Sequence, residues 1–262
     1  MAETATVAIG QPGWVDLGSS DPAAARAFYA DVFGWKAEVS DDPQAGGYGM
    51  FMLDGKEVAG TGPLMNEQQP VAWTVYVLVG DADATAAKVK AAGGTVFAEP
   101  FDVMDAGRMA IVADPSGGVL GIWQPGTHRG FEVKGTGGSF CWAELNSKDI
   151  AKDSAFYASV FGWDPKVMPT PGMEYTQFEH NGEAIAGGMA MPVEMPSGTP
   201  SHWLVYFATA DVDATVAKLT SLGGGVHHPP EDIPEVGRFA VVHDPQGGVF
   251  GLLQPISLAA AS

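Results

Sequence analysis

Two short motifs place an aromatic ring and a carboxylate two residues apart: Trp14-Val15-Asp16 and Trp142-Ala143-Glu144. In a β-strand, residues i and i+2 share one face, so each pair would stand side by side. A carboxylate among aromatic rings loses its hydration. It then serves either as an acceptor for a ligand's cation or hydroxyl, or as a general base with a raised pKa. Strand-like runs nearby supply further groups on the same parity: Thr74 and Tyr76 in AWTVYVLV, Trp123 in VLGIWQ, and His202, Leu204 and Tyr206 in HWLVYFA. The alternate residues Val75, Val77 and Val79 are aliphatic, as a helix-packed face requires. Asp16, Glu144 and His202 are the candidate catalytic groups. The competing reading of the two carboxylates is an internal ion pair with Arg108 and Arg238, the arginines of two recurring Gly-Arg motifs.

The elements that must position these residues are written twice. FYADVFGW at Phe28–Trp35 returns as FYASVFGW at Phe156–Trp163. Around it recur a double glycine (Gly93-Gly94, Gly223-Gly224) and an Asp-Pro-x-Gly-Gly turn (Asp114–Gly118, Asp244–Gly248). Such a repeat marks a duplicated domain. Asp21-Pro22 opens a helix over Pro22–Phe33 that Gly34 stops, and short strands follow at Trp35–Val39, Tyr48–Leu53 and Glu57–Gly60. Then come a strand at Ala72–Val79, a helix at Ala82–Ala92 capped by Asp81, and strands near Thr95–Ala98, Arg108–Ala113 and Val119–Gln124. The expected fold is α+β, with four βαβββ units in two tandem domains over 1–125 and 139–262. The glycine-rich stretch 126–138 reads as a linker.

These motifs resemble the vicinal oxygen chelate superfamily, which contains glyoxalases, bleomycin-resistance proteins and extradiol dioxygenases. The two-domain form is similar to an actinobacterial subgroup that includes a mycobacterial antigen. The resemblance implies paired βαβββ units whose sheets curl into cups. It also implies, in metal-bearing members, His, Gln or Glu at four cup-facing positions. Counted from the motifs, those positions fall on Trp14, Thr74 and Gly121 in one half and on Trp142, Leu204 and Gly251 in the other. The fourth falls near Gly60 and Gly187. None of these side chains is a normal metal ligand. The expectation is therefore no metal and no other cofactor, with Trp14, Asp16, Thr74, Tyr76, Trp123, Trp142, Glu144, His202, Leu204 and Tyr206 lining a ligand cup. The sequence leaves open which units share a cup: Trp14 and Asp16 face Thr74, Tyr76 and Trp123 of their own domain, or His202, Leu204 and Tyr206 of the other.

Composition narrows the function classes. Thirty-one acidic against thirteen basic residues give a net charge of −18, which disfavours nucleic acid and anionic membranes as partners. A single cysteine, Cys141, and an N-terminus without an apolar signal core point to the cytoplasm. No Gly-x-Ser-x-Gly motif appears, and the glycine pairs follow helices instead of opening them, so nucleophile-elbow and phosphate-loop chemistry are not indicated. Five of six histidines (His180, His202, His227, His228, His243) lie in the second half. His227 and His228 precede Pro229-Pro230 and read as an exposed strand end, while His202 lies two residues from Leu204. The reading that results is a metal-independent binder of a planar aromatic natural product, with monomers made possible by pairing of the two domains. The alternative is an enzyme on the same fold, using a carboxylate base or a displaced divalent metal.

Overall fold

The computed structural model describes residues 8–256 apart from 67, 171, 172, 193, 194, 196 and 197. Residues 1–7, which bear on the reading of the N-terminus, lie outside that set. The chain runs β1 (Pro12–Ser19), α1 (Pro22–Phe33), β2 (Lys36–Val39), β3 (Gly49–Leu53), β4 (Lys56–Pro63), β5 (Ala72–Leu78), α2 (Ala82–Ala91), β6 (Thr95–Val103), β7 (Gly107–Ala113) and β8 (Val119–Pro125). The order then repeats as β9 (Phe140–Ser147), α3 (Ile150–Phe161), β10 (Asp164–Thr170), β11 (Met173–His180), β12 (Glu183–Ala190), β13 (His202–Ala208), α4 (Val212–Ser221), β14 (Gly225–Ile233), β15 (Gly237–His243) and β16 (Val249–Pro255). Each half forms one open eight-stranded sheet, in the order β2-β3-β4-β1-β5-β8-β7-β6 and its second-half equivalent.

Local chemistry accounts for the elements. Asp21, Asp81, Asp149 and Asp211 cap their helices by accepting the N–H three residues on. Gly34 and Gly162 end α1 and α3 at φ 76° and 73°, in the left-handed region. The strand expected at Thr95–Ala98 continues to Val103, past Pro100. It is an edge strand, and register shifts around Ala98–Phe101 absorb the proline. Its counterpart carries Pro229-Pro230 in the same way.

Both units of a half contribute to the same sheet. β1 pairs with β5 of its own half, with Trp14 opposite Tyr76 and Asp16 opposite Thr74. β9 pairs with β13 likewise, with Trp142 opposite Tyr206 and Glu144 opposite Leu204.

The helix-packed faces of the two sheets meet to form one continuous core. Trp73 of the first sheet contacts Phe207 of the second at 4.9 Å between ring centroids, and Tyr29 contacts Phe250 at 5.6 Å. The tyrosine of each repeated FY motif crosses this boundary. Tyr29 Oη donates to Asp244 Oδ2 at 3.0 Å while accepting from Trp73 Nε1, and Tyr157 does the same with Asp114 and Trp203. Each aspartate's other oxygen takes two backbone N–H groups of its own Asp-Pro-x-Gly-Gly turn. Both motifs thus hold the halves together and leave the opposite faces of the sheets to form the cups.

Candidate functional site

Each cup centres on a carboxylate held by two tyrosines and a tryptophan. In the first, Tyr76 Oη and Tyr48 Oη donate to Asp16 Oδ2 at 3.1 and 3.3 Å, and Trp14 Nε1 donates to Tyr48 Oη at 3.1 Å. In the second, Tyr206 Oη donates to Glu144 Oε1 at 3.2 Å, Trp142 Nε1 donates to Tyr175 Oη at 2.8 Å, and the Tyr175 hydroxyl lies near enough to Glu144 to favour its charged form. In both cups an indole N–H donates to one phenol oxygen and a phenol O–H donates to the carboxylate.

Burial dominates the electrostatics. Desolvation raises Asp16 from 3.8 to about 6, although its two tyrosine donors pull the other way. Glu144 is raised by burial as well. The four tyrosines are pushed well above their ordinary value by burial first and by the neighbouring carboxylate second. Neither arginine serves these carboxylates, which corrects the ion-pair reading. Arg108 is engaged by Asp83 at 2.7 Å and Asp102 at 2.9 Å, and Arg238 by Asp213 and Asp232. Asp83 and Asp213 lie in the first turns of α2 and α4, so each guanidinium serves the helix side of the fold.

Tyr48 and Tyr175 were not among the sequence candidates. Tyr48 precedes β3 and Tyr175 lies in β11, so the parity of the four cup strands did not reach them. A signal did exist: Tyr-x-x-Phe recurs at Tyr48–Phe51 and Tyr175–Phe178, in matching places of the two halves. The glycines facing the cups make room for these rings. A Cβ on Gly60 would lie 1.9 Å from Tyr48 Oη, and one on Gly121 would lie 2.0 Å from the Tyr76 ring. Gly187 and Gly251 relate to Tyr175 and Tyr206 in the same way.

The family's metal positions thus hold Trp14, Thr74 and two glycines overlaid by tyrosine rings, with the same pattern in the second half. These residues do not fit a divalent ion. Among the described residues no three His, Cys, Asp or Glu side chains gather into a ligand set. His202 lies opposite Asn146, and its Nδ1 meets Pro200 O at 3.0 Å, so it does not join the hydrogen bonds around Glu144. His228 pairs with Glu231 and stacks on Phe239, while His227 lies beside His243.

The stretch 126–138 does more than link. It straps the rim of the first cup: Phe131 N donates to Gly13 O at 2.8 Å and Glu132 N to Glu57 O at 3.0 Å. His128 stands edge-on to Trp14 at 4.4 Å, with its Nδ1 3.0 Å from Glu57 Oε2, and its backbone oxygen accepts from Trp123 Nε1. Phe131 fits between Trp14 and Phe140, at 5.6 and 4.8 Å. Trp14 and Trp123 are accordingly buried. Trp142 in the second cup stays partly exposed, and it borders a cavity of about 210 Å³.

Comparison with known proteins agrees with this architecture. The family model described as Glyoxalase/Bleomycin resistance protein/Dioxygenase superfamily matches residues 11–121 and 139–251. The protein CFP32 of Mycobacterium tuberculosis, named a glyoxylase, is 41% identical over 250 residues, covering 94% of this chain and 95% of that protein. The anthracycline biosynthesis protein DnrV of Streptomyces peucetius is 39% identical over 260 residues, covering 94% and 93%. Among solved structures, an Mn(II)-bound glyoxalase from Novosphingobium aromaticivorans superposes with a TM-score of 0.66 at 17% identity, covering 97% of this chain and 83% of the other. A 2,2',3-trihydroxybiphenyl 1,2-dioxygenase from Sphingomonas wittichii gives 0.64 at 17% identity, covering 94% and 91%. At that identity the two structures speak to the fold alone.

Proposed function

Since the chain belongs to the glyoxalase/bleomycin resistance protein/dioxygenase superfamily, we propose that it binds a planar aromatic natural product without a metal. The observation that carries this reading is the desolvated carboxylate ringed by Trp and Tyr in each cup, where, among the described residues, neither a metal ligand set nor an arginine answers it. Flat rings stack on indole and phenol faces, and the carboxylate gives the guest's hydroxyl or ammonium a strong acceptor. The relatives named for anthracycline biosynthesis support an aromatic polyketide as the guest class. Titration of apo protein with a panel of planar aromatic natural products tests it. Quenched Trp fluorescence and a raised melting temperature are expected for at least one class. If neither signal moves across the panel, the reading is lost.

A second reading follows from Asp16. Raised to about 6 by burial, its carboxylate is suited to take a proton from a bound phenol or activated C–H near neutral pH. An enzyme of this kind would turn over a proton-transfer substrate with an activity that rises through the Asp16 pKa and is lost in Asp16→Asn.

A further inference from the structure

The two halves match position by position, so each shows what the other lacks. In the first half, the Phe131 ring lies against Trp14 with Phe140 from the other half as its far wall. By the repeat, the corresponding place in the second half lies against Trp142, with Pro12 as the far wall. Among the described residues no benzyl group sits there. A cavity of about 210 Å³ does, and Pro12, Phe140, Cys141, Trp142 and Ala184 are among the residues that line it. Ala184 stands where the first half has Glu57, the residue that holds His128, so the second rim lacks that carboxylate too.

Resting on the reading that the cups bind aromatic guests, we propose that this cavity is the ring-binding subsite and that it takes a single hydroxylated aromatic ring. Phe131 supplies the size argument: the fold already closes around one six-membered ring at the equivalent place. Dry cavities of about 150 Å³ are large enough for benzene. The hydroxyl is specified by the polar groups at the mouth. Glu183 and Lys134 both line the cavity, and Gln11 Nε2 reaches Glu183 Oε2 at 3.4 Å. A phenol hydroxyl at this mouth can donate to the Glu183 carboxylate and accept from the Lys134 ammonium, contacts that an unsubstituted ring cannot make. The partly exposed Trp142 indole provides the stacking face, and its N–H is already committed to Tyr175, so stacking does not compete with that bond.

The test uses the full chain, with phenol as the probe and cyclohexanol as a non-aromatic control of similar size. Indole N–H resonances are followed by NMR. Phenol is expected to shift the Trp142 resonance saturably at millimolar concentrations while leaving Trp14 in place, with cyclohexanol at least tenfold weaker. Ala184→Phe, at the cavity rim, should abolish the shift while the other indole resonances keep their positions, which shows the fold intact. Phe131→Ala should add a second phenol response, at Trp14. An unmoved Trp142 up to the solubility of phenol, or a shift that survives Ala184→Phe, would overturn the proposal. Titrating a planar polycyclic compound into wild type and Ala184→Phe separates this inference from the broader one. If the polycycle binds both equally, aromatic binding stands and the subsite falls.

Discussion

The two cups share their centre and differ at one rim. Both have an indole bonded to one phenol and a second phenol bonded to a carboxylate, from matching positions of the two halves. The first is finished by the strap, which lays His128 and Phe131 on Trp14. The second has a cavity at the matching place. Duplication copied the strands, but the segment that joins the copies follows β8 and covers the first cup. With the first site closed by the chain itself, the proposed guest would find its room at the second. Glu57 and Ala184 record the difference in one position: a carboxylate where a strap histidine must be held, and a methyl where the rim is open.

The strap is the point where the comparison breaks most readily. Phe131 is 3% exposed, and truncating a buried phenylalanine costs about 3–5 kcal/mol. Phe131→Ala should therefore lower the denaturation midpoint strongly, and it should make Trp14 accessible to a soluble quencher to the extent that Trp142 already is. A midpoint within error of wild type would mean that the strap rests on the cup without supporting it.

A smaller effect distinguishes the hydrogen-bonded centres. Tyr48→Phe removes the acceptor for Trp14 and one donor to Asp16, at about 1–3 kcal/mol for the buried groups left unpaired. Tyr175→Phe should cost a similar amount. The indoles should nevertheless respond differently. Trp14 is clamped by His128 and Phe131 and keeps its emission maximum, while Trp142, without those two rings against it, shifts to the red. Equal shifts would show that the strap does not fix Trp14.

Much of this was legible in the residues. The helices followed from their aspartate caps and stopping glycines. The cup-facing parity followed from strand alternation, with Trp14, Asp16, Thr74 and Tyr76 on one face. Three things were not legible, each because a contact runs between segments far apart in sequence. Tyr48 and Tyr175 enter from neighbouring strands over Gly60 and Gly187, where only the recurrence of Tyr-x-x-Phe could have pointed to them. Asp114 and Asp244 read as turn residues, yet they brace the opposite half through Tyr157 and Tyr29. The stretch 126–138 has a linker's composition, and its burying residues His128, Phe131 and Val133 are too few to show a periodicity.

The smallest expected effect concerns the carboxylates, and its sign depends on pH. Asp16 holds its proton more tightly in the native state, with a pKa of about 6 against 3.8 in the unfolded chain. The native state therefore binds more protons between those values. The stability this provides is complete below the unfolded pKa and is lost as pH rises through about 6. Asp16→Asn keeps an oxygen to accept from Tyr48 and Tyr76 but cannot ionise. The variant should match wild type near pH 4 and be more stable by about 1–2 kcal/mol at pH 8. A tenfold difference in proton affinity between the two states is worth about 1.4 kcal/mol, and the solvent contact that Asp16 retains reduces the total. Glu144→Gln should show the same direction, because burial raises that group too. Melting both variants across pH 4–8 measures the linkage directly. A wild-type advantage at pH 8 would mean that the ionised carboxylate stabilises the cup, and the desolvation account of both centres would have to be abandoned. A gain at pH 8 would show that the fold keeps a destabilising charge in each cup, a cost better explained by a bound guest than by packing.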